Sequence, residues 1–142
     1  MSDTSPAAKP PNRIIAVWKG EQEFDTGKPG GPLARIDGHG KTGQGPVDTL
    51  LSALATCSAI DVVGILKKQR TPVASLEIEV VGTRALATPA PLTHVVLLFR
   101  ISGEGIERDQ ALRAIELSVT KYCSVRDSLD PNIPIDWELE LT

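Results

Sequence analysis

The sequence is poor in cysteine: Cys57 and Cys123 are its only two, and each lies inside an apolar segment. Such spacing excludes a disulfide-stapled secreted scaffold and fits a reducing, cytoplasmic setting. An excess of positive charge is also missing. Fifteen Lys and Arg residues face 18 Asp and Glu residues, for a net charge of -3. That balance offers no broad attraction to phosphate backbones or anionic bilayers, so neither nucleic acid nor a membrane is an expected partner. The opening stretch MSDTSPAAKPPN has no apolar h-region, which a secretory signal requires. It reads as a flexible N-terminal tail, residues 1–12, ahead of a single domain over residues 13–142. The two histidines, His39 and His94, have no ligand-spaced partners, so no metal site is expected. GHGKTGQG resembles a phosphate loop only in composition, because it lacks the Gly-Lys-Ser/Thr ending. No internal repeat is visible.

What is present is an alternation of short strands with two long helical patterns. Ile14 to Trp18 and Leu33 to Asp37 flank the turn-rich GKPGGP and predict a β-hairpin. Pro46 suits the first turn of a helix, where its missing N–H has no intrahelical partner, and Asp48 suits the positive end of the helix dipole. The helix should run to about Lys68; Lys67, Lys68 and Arg70 complement its negative end, and Pro72 forbids continuation. Although Val47 to Leu66 is nearly apolar throughout, Asp61 lies well inside it. An ionised residue at that depth costs about 2.5–3.5 kcal/mol in a bilayer, which favours a buried helix over a membrane span. Leu50, Leu51, Leu54, Ile60, Val62, Val63, Ile65 and Leu66 point in nearly every direction around the axis. One small domain rarely encloses a helix so completely, so an interlocked homodimer is expected.

Leu76 to Val81 and Val95 to Ile101 read as paired strands joined through Ala87 to Pro91. A second helix is predicted over about Glu107 to Ser128, with Leu112, Ile115, Val119, Tyr122 and Cys123 on one face. Ile135, Trp137, Leu139 and Leu141 then alternate with acidic residues, the period of a strand with one wet face. The predicted class is α+β: two long central helices packed with mainly antiparallel sheet.

Free cysteine is commonly an inert core residue. Here each cysteine falls on the apolar face of a long helix, and two such helices that pack together can bring thiols within disulfide range. GPVDTLLSALATCSAIDVVGILKKQR, with KYCSV further on, resembles the OsmC/Ohr family of osmotically inducible and organic hydroperoxide resistance proteins. The likeness runs from about Phe24 to the C-terminus, and DVV with LKK places it nearer the general OsmC-like branch. The resemblance implies an intertwined homodimeric peroxidase that needs no cofactor. Cys57 matches the peroxide-reducing position and Cys123 the resolving one, reset by an external dithiol such as a lipoyl-bearing protein. It also implies an acidic residue ten positions before the first cysteine, paired with an arginine from the N-terminal hairpin. Val47 occupies that position here, and Asp48 is the nearest carboxylate. An ideal helix places Asp48 about 180° from Cys57 and roughly 13.5 Å along the axis, which excludes direct contact within the helix. Arg35 is the expected activating cation, since a nearby positive charge raises the thiolate fraction. Lys28 and Arg13 rank behind it, and Arg126 lies near the second thiol instead. The competing reading is a binding or redox-sensing dimer that holds a small apolar or electrophilic ligand.

Overall fold

The first strand grows from the β-branched run after Arg13: β1 (Ile15–Gly20) pairs antiparallel with β2 (Glu23–Gly27), which pairs in turn with β3 (Ala34–Asp37). The computed structural model describes residues 8–142. Positions 1–7 of the expected tail lie outside the described residues, and positions 8–14 are exposed without regular structure. The described chain divides into two compact units, one ending at Thr49 and the other running from Leu50 to Thr142.

In the first unit the expected hairpin is a three-stranded meander. EFDTG, with Phe24 as its only large apolar residue, inserts as the middle strand, and GKPGGP connects β2 to β3 rather than β1 to β3. The β1–β2 reversal uses positive φ at Gly20 (117°) and Glu21 (47°). Beyond β3, the glycine-rich loop folds back around the carboxylate of Asp37, which is only 2% exposed. Asp37 accepts hydrogen bonds from the backbone N–H groups of His39 (2.8 Å), Lys41 (3.1 Å) and Thr42 (3.0 Å), and from the Thr42 hydroxyl (3.2 Å). These donors, led by the Thr42 and His39 amides, lower its pKa from 3.8 to about 2. A sequence with phosphate-loop composition therefore cradles the chain's own anion.

α1 (Pro46–Lys68) matches the expected helix. It ends in a Schellman turn in which Thr71 N–H donates to Leu66 O (3.0 Å) and Arg70 N–H to Lys67 O (3.0 Å), with Arg70 at φ 63°. By length and composition α1 is apolar enough to cross a membrane. In the protein, its Leu54, Ala55, Ser58, Val62 and Leu66 are buried, whereas Leu50, Ile60 and Val63 stay exposed. A single chain thus encloses one face of this helix, not the whole circumference.

β4 (Ser75–Arg84) pairs antiparallel with β5 (Leu92–Ser102), and β6 (Ile135–Leu141) pairs parallel with β5. The parallel pair is the exception to the expected antiparallel pattern, and the helical crossover between β5 and β6 is the long connection it requires. Val95, Leu97, Phe99 and Ile101 alternate inward from β5 and are buried with Leu54, Val62 and Leu66 of α1. Gly82 permits close approach of the helix, because a Cβ there would stand 2.9 Å from Leu51 Cδ1. On the outer face one guanidinium, Arg100, joins all three strands through Glu77 (3.1 Å), Glu79 (3.0 Å) and Glu140 (3.2 Å).

The crossover departs from the predicted continuous helix over Glu107 to Ser128. α2 (Arg108–Leu117) gives way to a π-turn (Ser118–Tyr122), an extended Cys123 (φ -75°, ψ 103°) and the short α3 (Ser124–Asp127). Ser118 and Thr120 hydroxyls bond back to Ala114 O (2.8 Å) and Glu116 O (2.6 Å), a pattern that loosens a helix. Cys123 N–H then donates to Ser118 O (2.8 Å), closing the wider turn. Cys123 therefore sits at a helix break, and Tyr122 is half exposed instead of sharing the buried face of Ile115 and Val119.

Candidate functional site

The helix break aims the Cys123 sulfur at the middle of α1. Cys123 is 3% exposed, while Cys57, one residue before the fully buried Ser58, is only partly buried; both are free thiols. The Cys123 sulfur accepts from the Arg126 backbone N–H (3.4 Å) and lies 3.7 Å from the Ser58 hydroxyl, which also donates to Leu54 O (3.0 Å). Cys57 lies close enough to Cys123 to bear on its titration. Burial is the main cause that pushes the Cys123 pKa up. The Arg126 amide and Ser58 pull it down, and the hydrogen bond and charge of Cys57 push it up again. The net result keeps a proton on Cys123 beside a more accessible neighbour.

The other expected site residues have partners of their own or are exposed. Arg35, in β3, is bound by Asp25 (2.6 Å) and Glu23 (3.3 Å) and donates to the Thr42 hydroxyl (3.3 Å). Its pKa is raised and that of Asp25 lowered, chiefly by their mutual hydrogen bond. The cation is thus neutralised within its own sheet. Asp48 is exposed in the first turn of α1. Arg126 acts on Cys123 through its backbone, because its guanidinium is bound to the carbonyls of Asp130 (3.1 Å), Pro131 (3.4 Å) and Ile133 (3.0 Å). Arg13 and Lys28 line one groove with Lys9 in the first unit. His94 is paired with Asp136 (2.7 Å) across β5 and β6. Among the described residues no cluster of His, Cys, Asp or Glu is arranged to hold a metal ion. Sequence reading does not single out Ser58, because Thr56 sets a hydroxyl on the other side of Cys57 and only the fold buries Ser58 and exposes Thr56.

Residues 38–138 match the family model described as OsmC-like protein. Protein YhfA of Escherichia coli K12 is 36% identical over 107 residues, covering 75% of this chain and 80% of that protein. The crystal structure of an OsmC-like protein from Mycoplasma pneumoniae superposes with a TM-score of 0.80 at 19% identity, covering 95% of this chain and 99% of that one. The organic hydroperoxide resistance protein OhrB of Bacillus subtilis shares the fold more distantly, with a TM-score of 0.62 at 16% identity and coverage of 90% and 96%. The α+β architecture, the family model over residues 38–138 and these likenesses agree: the chain belongs to the OsmC-like protein family.

Proposed function

We propose that this protein is a cytoplasmic, homodimeric thiol peroxidase that reduces hydroperoxides, organic ones in preference, and serves an antioxidant role in stress. The observation that carries the reading is the adjacency of two free thiols, one partly accessible and one sealed in the core. The Cys57 thiolate attacks the O–O bond of ROOH, forming Cys57 sulfenic acid and releasing the alkoxide, which takes a proton to become ROH. Cys123, giving up its proton, attacks the Cys57 sulfur; the S–S bond forms and water leaves. An external dithiol then returns both residues to thiols and is itself oxidised to a cyclic disulfide. Apolar surroundings favour organic substrates, and the hydroperoxide resistance named for the Bacillus fold relative is in line with this chemistry. Arg35 and Asp48 enter the reading as candidate activating groups. Arg35 must then act while it holds Asp25 and Glu23.

That neutralisation of Arg35 favours a second reading, a redox-sensing or small-ligand-binding dimer without turnover. Titration of free thiols before and after one equivalent of cumene hydroperoxide separates the two. Rapid loss of both thiols is expected of the peroxidase; thiols that survive the hydroperoxide with no dithiol added leave only the binding reading.

A further inference from the structure

The Ser58 hydroxyl has one proton and two acceptors, Leu54 O at 3.0 Å and Cys123 Sγ at 3.7 Å. It is fully buried, so no water substitutes for it. Against a protonated Cys123 the hydroxyl bonds Leu54 O, the usual back-bond of a helical serine. Against a Cys123 anion, rotation about one bond presents the proton to sulfur, where a charge-assisted bond is stronger. The anion would then have two donors, Ser58 Oγ–H and Arg126 N–H.

Such an arrangement matters most when a disulfide is opened, because the better-stabilised sulfur leaves faster and the more accessible sulfur is attacked. We propose that Ser58 is a positioning residue for the resetting half of the cycle: its hydroxyl turns to the Cys123 sulfur as that sulfur departs, directing an external dithiol to Cys57. The inference rests on the Cys57–Cys123 redox pair proposed above. One thiolate of the dithiol attacks Cys57 Sγ; the new S–S bond forms as the Cys57–Cys123 bond breaks, and its electron pair goes to Cys123. The second thiol of the dithiol then attacks its own sulfur in the mixed disulfide, closing a ring and releasing the Cys57 thiolate. Cys123 recovers its proton as Ser58 returns to Leu54 O.

The test starts from protein oxidised with diamide, so it does not depend on peroxide turnover. Reduction by dithiothreitol at fixed pH should slow about tenfold in Ser58→Ala, the loss of one hydrogen bond to a charged sulfur. Ser58→Thr, which keeps the hydroxyl, should reduce at close to the wild-type rate. In a Cys57→Ser background, thiolate absorbance of Cys123 should titrate about one pH unit higher when Ser58→Ala is added. Glutathione trapped on oxidised wild-type protein should be found on Cys57 by peptide mass analysis. The proposal falls if Ser58→Ala reduces at the wild-type rate, if Ser58→Thr is as slow as Ser58→Ala, if glutathione attaches to Cys123, or if diamide forms no Cys57–Cys123 disulfide. Protein that ignores hydroperoxides yet shows the Ser58 dependence sinks the peroxidase reading and upholds the role of Ser58.

Discussion

The two thiols differ by burial and partners more than by chemistry, and under the proposed function that difference gives them unequal parts. Replacing Cys57 with serine removes the partly accessible sulfur, so hydroperoxide consumption should fall to background. Replacing Cys123 leaves the first attack possible; this variant should consume about one equivalent per subunit and stall with Cys57 as a sulfenic or overoxidised acid. Single-turnover consumption followed by peptide mass analysis checks both. Asp37 offers a separate test in the first unit. Its folded pKa of about 2 lies below the unfolded value of 3.8, so the stability it adds is present above about pH 4 and is lost as pH falls toward 2. Asp37→Asn should therefore unfold at lower urea than wild type at pH 7, and the gap should narrow sharply by about pH 2.5. Equal midpoints at pH 7 would show that the carboxylate does not organise the loop.

At the scale of elements, two backbone features carry measurable strain or crowding. Arg70 holds the left-handed position of the α1 terminus, which glycine adopts without a Cβ penalty. Arg70→Gly should stabilise the protein by about 0.5–1 kcal/mol, read as a higher melting temperature. Gly103 works in the opposite sense: a Cβ would stand 2.6 Å from Pro72 O and 2.5 Å from Ile106 Cδ1. Gly103→Ala should cost about 1–3 kcal/mol, checked by denaturant unfolding. Alternation revealed β4 to β6, and Pro46, the closing Lys67 and Lys68, and Pro72 bounded α1, because both signals are local in sequence. Periodicity missed β2, whose EFDTG has little apolar alternation and is held by its neighbours on both sides. It also drew one helix through Cys123, since side-chain spacing does not register hydroxyls that compete for backbone carbonyls at Ser118 and Thr120. That Cys57 and Cys123 could approach each other was legible, because each falls on the apolar face of a helical segment. Ser58, and the carboxylates that occupy Arg35, depend on contacts distant in sequence and left no local pattern.

At the scale of the whole molecule, Ile60 (71% exposed), Val63 (41%) and Tyr122 (50%) are apolar groups that one chain leaves uncovered. A second copy is the expected cover, and sedimentation at micromolar concentration should return a dimer mass. A natively folded monomer at every concentration would defeat this expectation. The face of the second sheet that Arg100 rivets together bears on the same question. It exposes Glu77, Glu79, Asp136, Glu138 and Glu140 against that one guanidinium, so two such faces repel at neutral pH. Encounters between copies are thereby steered away from sheet-on-sheet stacking, a form of colloidal insulation. Replacing Glu77 and Glu79 with glutamine should raise the turbidity of concentrated protein at neutral pH and low salt, and unchanged turbidity would show that these charges do not keep copies apart.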